Sequence, residues 1–137
     1  MARVEAGLYS ILSDSSNLTV LVGGSSTPRI YPFPLPQNIS LPALSYHRVS
    51  PYRLSGLTVD PGQTECRFEV ACYSTNYSTV QSVADKIRLA IWRNIGSHGG
   101  VTIHDIWPED EISEFDVETE THMITLDVFI RHTESTS

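Results

Sequence analysis

Hydrophobic residues recur along the chain with two different periods, which predict helices and strands in separate stretches. Near the start the spacing is i, i+4, i+7, i+8, which predicts an apolar stripe on a helix over residues 3–13. The members of the stripe are Val4, Leu8, Ile11 and Leu12. The polar cluster 14–17 ends this helix and caps a short second helix, which Gly23 and Gly24 terminate. The segment is therefore either a helical hairpin or a helix with a kinked tail.

Strict alternation of apolar and polar residues predicts strands farther along the chain. The runs 43–50, 64–74 and 121–132 alternate, and 101–107 is a further predicted strand. In the second run the inward residues are Cys66, Phe68, Val70 and Cys72. In the last run they are His122, Ile124, Leu126, Val128 and Ile130. One apolar face per strand is typical of a half-buried antiparallel sheet.

A long helix is predicted over residues 78–95. Ser78 and Gln81 fit a capping box, helical apolar spacing follows, and Gly96 offers a C-cap. This helix should lie across the sheet face that carries Phe68 and Val70. We therefore predict an α+β fold, with a mostly antiparallel sheet packed by one long helix, an N-terminal helix and an extended proline-rich arm. We expect one domain over 1–137, with a frayed tail at 133–137.

The proline-rich arm spans residues 28–42, which hold five of the eight prolines. Proline fixes φ and removes a donor, so this stretch is neither helix nor central strand. It lacks the PxxP spacing of ligands for proline-reading modules, which favours an arm laid along its own or a neighbouring subunit. Aromatic residues around it are candidates for a subunit interface, although core packing also uses such residues. These candidates are Tyr31, Phe33, Tyr46 and Tyr52.

Composition and charge narrow the class of protein. The 137 residues are 40% hydrophobic, which excludes wholesale disorder, and the net charge of −7 has the wrong sign for general nucleic-acid binding. Without a membrane-length apolar run or a signal-peptide core, we expect a soluble protein that is not exported through a cleaved signal. Cys66 and Cys72 lie roughly 20 Å apart along one strand at about 3.3 Å per residue. We therefore predict two buried thiols and no disulfide between them.

The most unusual feature is the acidic window, which we define as residues 105–121. It holds eight acidic residues and no Lys or Arg, so its own net charge is −8. The rest of the chain carries +1, which gives the total of −7. The window has no glycine, which argues against a calcium loop. It is either a solvated loop and edge-strand face or a surface that repels an anionic partner, such as the wall of a DNA conduit. For the second alternative the candidates are Glu109, Asp110, Glu111 and Glu114.

No combination of residues favours catalysis, a metal or a cofactor. The five histidines lack zinc-ligand spacing, and His122 is expected to be a core or interface residue. There is no nucleophile elbow for a hydrolase, and the loop at Gly23 lacks the ending of a phosphate-binding motif. We therefore expect a protein that is not an enzyme and that binds no metal or cofactor.

Five segments, in this order, resemble the tail-completion family of long-tailed bacteriophages, whose small proteins terminate the tail tube and join it to the head. They are VEAGLYSIL at 4–12, RIYP at 29–32, LPALSYHRVS at 41–50, the strand 66–73 and ADKIR at 84–88. The resemblance covers about residues 4–95. Ser45 stands where the family pattern is apolar, and His47 stands where a Gln is common. Neither departure affects a catalytic role, because the family has none.

The resemblance implies a structural virion protein of the tail and neck, assembled in the host cytoplasm. It implies a ring, expected to be six-fold, that stacks on the tail tube and faces the head connector. DNA would pass through the lumen without specific binding, and the acidic window would keep it from sticking. The alternatives are a head-tail stopper or adaptor, a minor tail subunit and, more remotely, a small ligand-binding or hydrolase domain.

Overall fold

The computed structural model describes residues 3–24, 26–49 and 63–133 of the chain. Three helices and six strands follow one another in these residues as α1 (Val4–Asp14), α2 (Ser16–Thr19), β1 (Ile30–Pro32), β2 (Ala43–Val49), β3 (Gln63–Ser74), α3 (Tyr77–Ile91), β4 (Gly96–His98), β5 (Val101–Asp116) and β6 (Thr121–Thr133). None of the helices in the described ranges is long and apolar enough to span a membrane.

The N-terminal segment folds as two consecutive helices, as the apolar spacing predicts. All four members of the predicted stripe on α1 are buried. The Ser15 side chain caps α2 by accepting a hydrogen bond from the Leu18 amide at 3.4 Å. Helix α1 packs on β4, and a Cβ added at Gly99, whose φ is +58°, would lie 2.5 Å from the Ala6 carbonyl oxygen. This close approach therefore requires glycine.

Helix α3 has different ends from those that the sequence predicts. Its N-cap is Asn76, whose Oδ1 accepts a hydrogen bond from the Thr79 amide at 3.0 Å, so the predicted capping box of Ser78 and Gln81 is wrong. The helix stops at Ile91 rather than Ile95. After it, the Arg93 amide donates to the Ile106 carbonyl at 3.0 Å, so bonding to β5 replaces further helix.

The six strands form one sheet in the order β1-β2-β3-β6-β5-β4. Only the β1–β2 pair is parallel, and the other neighbours are antiparallel, which confirms the predicted mixed α+β class and mostly antiparallel sheet. Strands β3 and β6 pair along their whole length, from Gln63 opposite Thr133 to Ser74 opposite His122. These two long central strands are the frame of the sheet.

The core lies between one face of this sheet and the helices. The alternation predicted for β3 and for most of β6 is confirmed, because the inward residues from Cys66 to Cys72 and from Ile124 to Ile130 are buried. They pack with the stripes of α1 and α3 in one cluster. Both cysteines are buried thiols, as predicted. In the described residues α1 and α3 contact this face of the sheet and α2 packs on those two helices, so we call it the helix-covered face and the opposite face the helix-free face.

The proline-rich segment is a crossover connection rather than an extended arm. Strand β1 runs parallel to β2, so the chain returns over residues 33–42 to the start of β2. The two ends of this connection meet, because the Arg29 Nε donates to the Pro42 carbonyl at 2.9 Å and the Leu44 amide donates to the Arg29 carbonyl at 3.0 Å. Proline content alone does not reveal such long-range closure.

Strand β5 is much longer than the predicted strand at 101–107, because it continues through most of the acidic window to Asp116. Of the predicted solvated loop and edge-strand face, the structure has an edge strand as far as Asp116 and a turn after it, and residues 109–120 are all exposed. Register shifts after Ile103 and after Pro108 break the alternation that would have revealed the strand. The β5–β6 turn occupies 117–120.

Candidate assembly surfaces

The four acidic residues predicted to face a lumen lie on two sides of the β5–β6 hairpin. Glu109 and Asp110 lie in the bulge between Pro108 and Glu111. Glu109 accepts a hydrogen bond from the Trp107 indole at 3.0 Å. Trp107 in turn stacks on Phe129, with ring centroids 5.7 Å apart. The register places Phe129 on the helix-free face, opposite Arg67, so Glu109 belongs to that face.

Glu111 lies on the other side of the hairpin. It pairs with Arg88 of α3, which also contacts Asp85 one turn earlier. Its cross-strand partner Leu126 is buried in the core. Glu111 therefore ties the hairpin to the helix-covered face, and it does not share a face with Glu109.

Carboxylates gather on the helix-free face around Asp127. Burial raises the pKa of Asp127 above its ordinary value, the nearby Arg67 guanidinium opposes this rise, and Glu69, Asp110 and Glu109 add to it. The distance from the Arg67 Nε to the Asp127 carboxylate is 3.8 Å. One arginine thus faces several acidic groups, and the surface around the bulge is electronegative.

The distal part of β5 is an edge strand. Strand β4 pairs only with residues 101–103 of β5, and beyond Ile106 no strand among the described residues covers the outer side of β5. Edge strands with free backbone groups invite pairing with other chains, and charged side chains and bulges suppress it. The acids of the window are placed where they protect this edge from uncontrolled association.

The four aromatic residues predicted at a subunit interface are separated by the sheet. Phe33 is 57% exposed and lies against His47 on the helix-free face, with centroids 5.1 Å apart. Tyr31 pairs in register with Ser45 on the same face. Tyr46 packs against the core and lies 6.3 Å from Tyr9 of α1, measured between ring centroids. Tyr52 lies outside the described residues.

Phe33 belongs to a groove on the helix-free face that the sequence did not predict. Two adjoining cavities of about 390 and 220 Å³ share Tyr73, Glu114 and Met123 in their linings. One wall is the proline-rich connection, with Phe33, Leu35 and Leu41, and the other is the hairpin, with Ile112 and Phe115. Small residues form part of the floor, namely Ser45, Ala71 and Thr125. The groove is largely apolar, and Glu114 and Asp116 lie on the hairpin side.

A second exposed apolar surface lies at the C-terminal end of α3. Leu89 is 71% exposed, and Trp92 and Ile95 are each 59% exposed. Lys86 and Arg93 lie close to them in sequence, and neither has an ion-pair partner among the described residues. We call these five residues the α3 patch. The predicted helix over 78–95 includes Ile95 in its apolar spacing, but Ile95 is exposed because the helix ends at Ile91. Leu89 was the signal that could have revealed the patch, since it lies off the stripe.

The described ranges assemble no metal centre. No group of three or more His, Cys, Asp or Glu residues in them is placed to hold a metal ion. His122 is not in the core, because it lies partly exposed between Phe115 and Tyr77, with ring centroids 4.6 and 5.3 Å away. Burial raises the pKa of the Cys72 thiol to about 12, which makes it a poor nucleophile.

A sheet face without helices in the described ranges, together with two exposed apolar surfaces, is typical of proteins that contact other chains. The family model described as tail completion protein gp17 matches residues 6–133, and the chain belongs to this family. The family is a structural phage tail family and not a family of enzymes, which gives the chain a structural role in a tail. The resemblance noted from the sequence is thereby confirmed.

The fold also occurs in a solved virion. A chain of the structure titled "Virion of native gene transfer agent (GTA) particle" superposes with a TM-score of 0.74 at 15% identity, over 96% of this chain and 95% of that chain. At this identity the likeness shows a shared fold. Among curated proteins, no sequence matches the chain significantly.

Proposed function

We propose that this chain forms a ring, expected to be six-fold, that caps the tail tube and joins the tail to the head connector in the virion. Membership of the tail completion family carries the proposal. The exposed surfaces support it, because a subunit that contacts only solvent has no need of both a largely apolar groove and an exposed apolar patch on a helix. The partners are other copies of the chain, the tail tube protein and the connector or stopper protein.

We assign the lumen of this ring to the bulge of β5. Glu109 and Asp110 lie there, exposed and next to the other carboxylates around Asp127. A wall of this sign repels the phosphate backbone, so DNA slides past without specific binding. Glu111 and Glu114 have different surroundings, since Glu111 pairs with Arg88 and Glu114 lines the groove. Glu109 and Asp110 are therefore better targets for a test of the lumen than all four acidic residues together.

Virions made without this chain test the role in joining. Electron microscopy should show filled heads and separate tails, and adding the purified chain to the separated tails should produce a ring at one tube end and restore joining. Tails that join heads equally well without the chain would contradict the role. A chain that binds heads and ignores tubes would favour a stopper or adaptor instead.

The lumen assignment has its own test in DNA ejection. Asp110→Lys places one added lysine per subunit in the bulge, and Asp14→Lys is the matched control on the exposed end of α1. Both variants should assemble. Ejection should be slower for Asp110→Lys at low salt, where phosphate attraction is strongest, and normal for the control. Normal ejection for both variants would contradict the assignment.

A further inference from the structure

The groove and the α3 patch lie on opposite faces of the same subunit. The groove is on the helix-free face, whereas Leu89 lies on the solvent side of α3, since Val83 and Ile87 are buried toward the sheet. Each surface is too apolar to be explained as solvated surface alone. Two different surfaces on opposite faces can meet only between copies, and such a head-to-tail contact is heterologous.

The two surfaces also carry opposite charge. The groove has Glu114 and Asp116 on its hairpin side. Beyond them the β5–β6 turn adds Glu118 and Glu120, all exposed and without a basic partner among the described residues. The α3 patch instead carries Lys86 and Arg93 beside its apolar residues. Opposite charge around apolar centres fixes the orientation of a contact and rejects wrong partners.

We propose that the α3 patch of one subunit docks into the groove of the next subunit in the ring, with Trp92 and Leu89 entering between Phe33 and the β5–β6 hairpin. The inference rests on the proposed ring and names the contact that builds it. The groove is large enough for an aromatic side chain, because the cavity that Phe33 lines is about 220 Å³ and the adjoining one is about 390 Å³. Lys86 then faces Glu114 of the neighbour.

This contact leaves a consistent place for the acidic bulge. When the helix-covered face of one subunit packs against the helix-free face of the next, the two edges of each sheet stay outside the contact. The β5 edge, with Asp110 in its bulge, is one of those edges. The same packing that fills the groove therefore leaves this acidic edge free to face the axis of the ring, as the lumen assignment requires.

Two complementary variants test the contact. Trp92→Glu disables the patch and keeps the groove, and Phe33→Glu disables the groove and keeps the patch. Both side chains are more than half exposed, so the fold should survive. Val20→Glu is the matched control, because Val20 is 71% exposed and lies outside both surfaces. Light scattering over a concentration series then gives the mass of each variant and of their mixture.

The expected pattern is specific to a head-to-tail contact. The unmodified chain and Val20→Glu should form the same oligomer, and each single variant should be monomeric. An equal mixture of Trp92→Glu and Phe33→Glu should stop at a dimer, because only one intact patch meets one intact groove. Oligomers of unchanged mass in both variants would overturn the contact and leave the ring standing. An unmodified chain that stays monomeric at every concentration and also on added tail tubes would contradict ring and contact together.

A charge exchange tests the register of the contact. Lys86→Glu alone and Glu114→Lys alone should each shift assembly to higher protein concentration, since each places like charges opposite one another. The double variant, which restores an opposite pair in every interface, should assemble at a lower concentration than either single variant. A double variant that assembles no better than the weaker single variant would overturn the pairing.

Discussion

Both halves of β5 form an antiparallel ladder with β6, but the two halves differ in how deeply their side chains are buried. In the first half, Val101, Ile103 and Ile106 are buried under α1 and α3. In the second half, from Glu109 to Asp116, every residue is exposed although the ladder continues to Thr121. The distal half is therefore held mainly by backbone pairing, with side-chain contacts from Glu111 to Arg88 and from Phe115 to His122, and most of its other side chains are available for contacts outside the subunit.

The largest expected difference between the halves is in stability. Ile106→Asp puts an unpaired charge into the core and should lower the free energy of unfolding by more than about 4 kcal/mol. Ile112→Asp makes the same change in the distal half, at a residue that is 59% exposed, and should stay within about 0.5 kcal/mol. Urea unfolding of the monomer measures both.

Equal losses for the two variants would contradict the comparison. They would mean that the distal half is part of the cooperative core of the monomer and not a surface built for contact.

Thiol labelling separates the buried side of the sheet from the distal hairpin. Because burial raises the pKa of the Cys72 thiol to about 12, very little thiolate exists at neutral pH. The native chain should therefore react with a maleimide only as fast as it opens. Val117→Cys, at a position that is 77% exposed in the turn, should react at once with one equivalent. Rapid labelling of the unmodified native chain would show that this side of the sheet opens readily.

A smaller effect distinguishes the acids of the distal half from one another. Glu111→Gln removes the partner of Arg88 and should cost about 0.5 kcal/mol, since both side chains are partly exposed and Arg88 keeps Asp85. Glu114→Gln removes a charge that has no ion-pair partner among the described residues, and the monomer should not lose stability. Unfolding at low and high salt checks this, because only the Glu111 effect should shrink with salt. A larger loss of stability for Glu114→Gln than for Glu111→Gln would mean that Glu114 links the hairpin to the helix.

The smallest expected effect concerns Asp127, on the helix-free face beside the bulge. Its raised pKa means that the folded chain holds this proton to higher pH than the unfolded chain does. The ionised carboxyl therefore costs stability at neutral pH, and the cost disappears below the ordinary Asp range. Asp127→Asn should be slightly more stable than the unmodified chain at neutral pH and equal to it in acid. A loss of stability at neutral pH would mean that the contact with Arg67 outweighs the repulsion.

Much of the helix-covered side could be predicted from the sequence, because burial imposes a period. The stripe on α1 and the alternation in β3 and most of β6 follow directly from the geometry of a helix and a strand. The end of α3 could not be predicted, since Ile95 keeps the helical period and only the bond from Arg93 to Ile106 decides where the helix stops.

The helix-free side is harder to predict from the sequence, because exposed residues follow no fixed period of apolar positions. The sequence of the distal half of β5 resembles that of a loop, because its residues are polar apart from isolated apolar ones. The bulge at Glu109 and Asp110 also shifts the alternation of the strand. The groove could not be predicted either, because Phe33 of the connection and Ile112 of the hairpin lie far apart in the sequence. The fold brings them to one groove across the helix-free face of the sheet. Phe33 was nevertheless singled out, because aromatic residues beside prolines are typical of contact surfaces.

The most direct test of the central claim is the mass of the purified chain in solution across a concentration series, measured alone and with tail tubes. A ring-forming tail protein should grow with concentration, or on added tubes, to a single closed species of six times the 15.2 kDa chain. A chain that stays monomeric at every concentration and does not bind tubes would contradict the account.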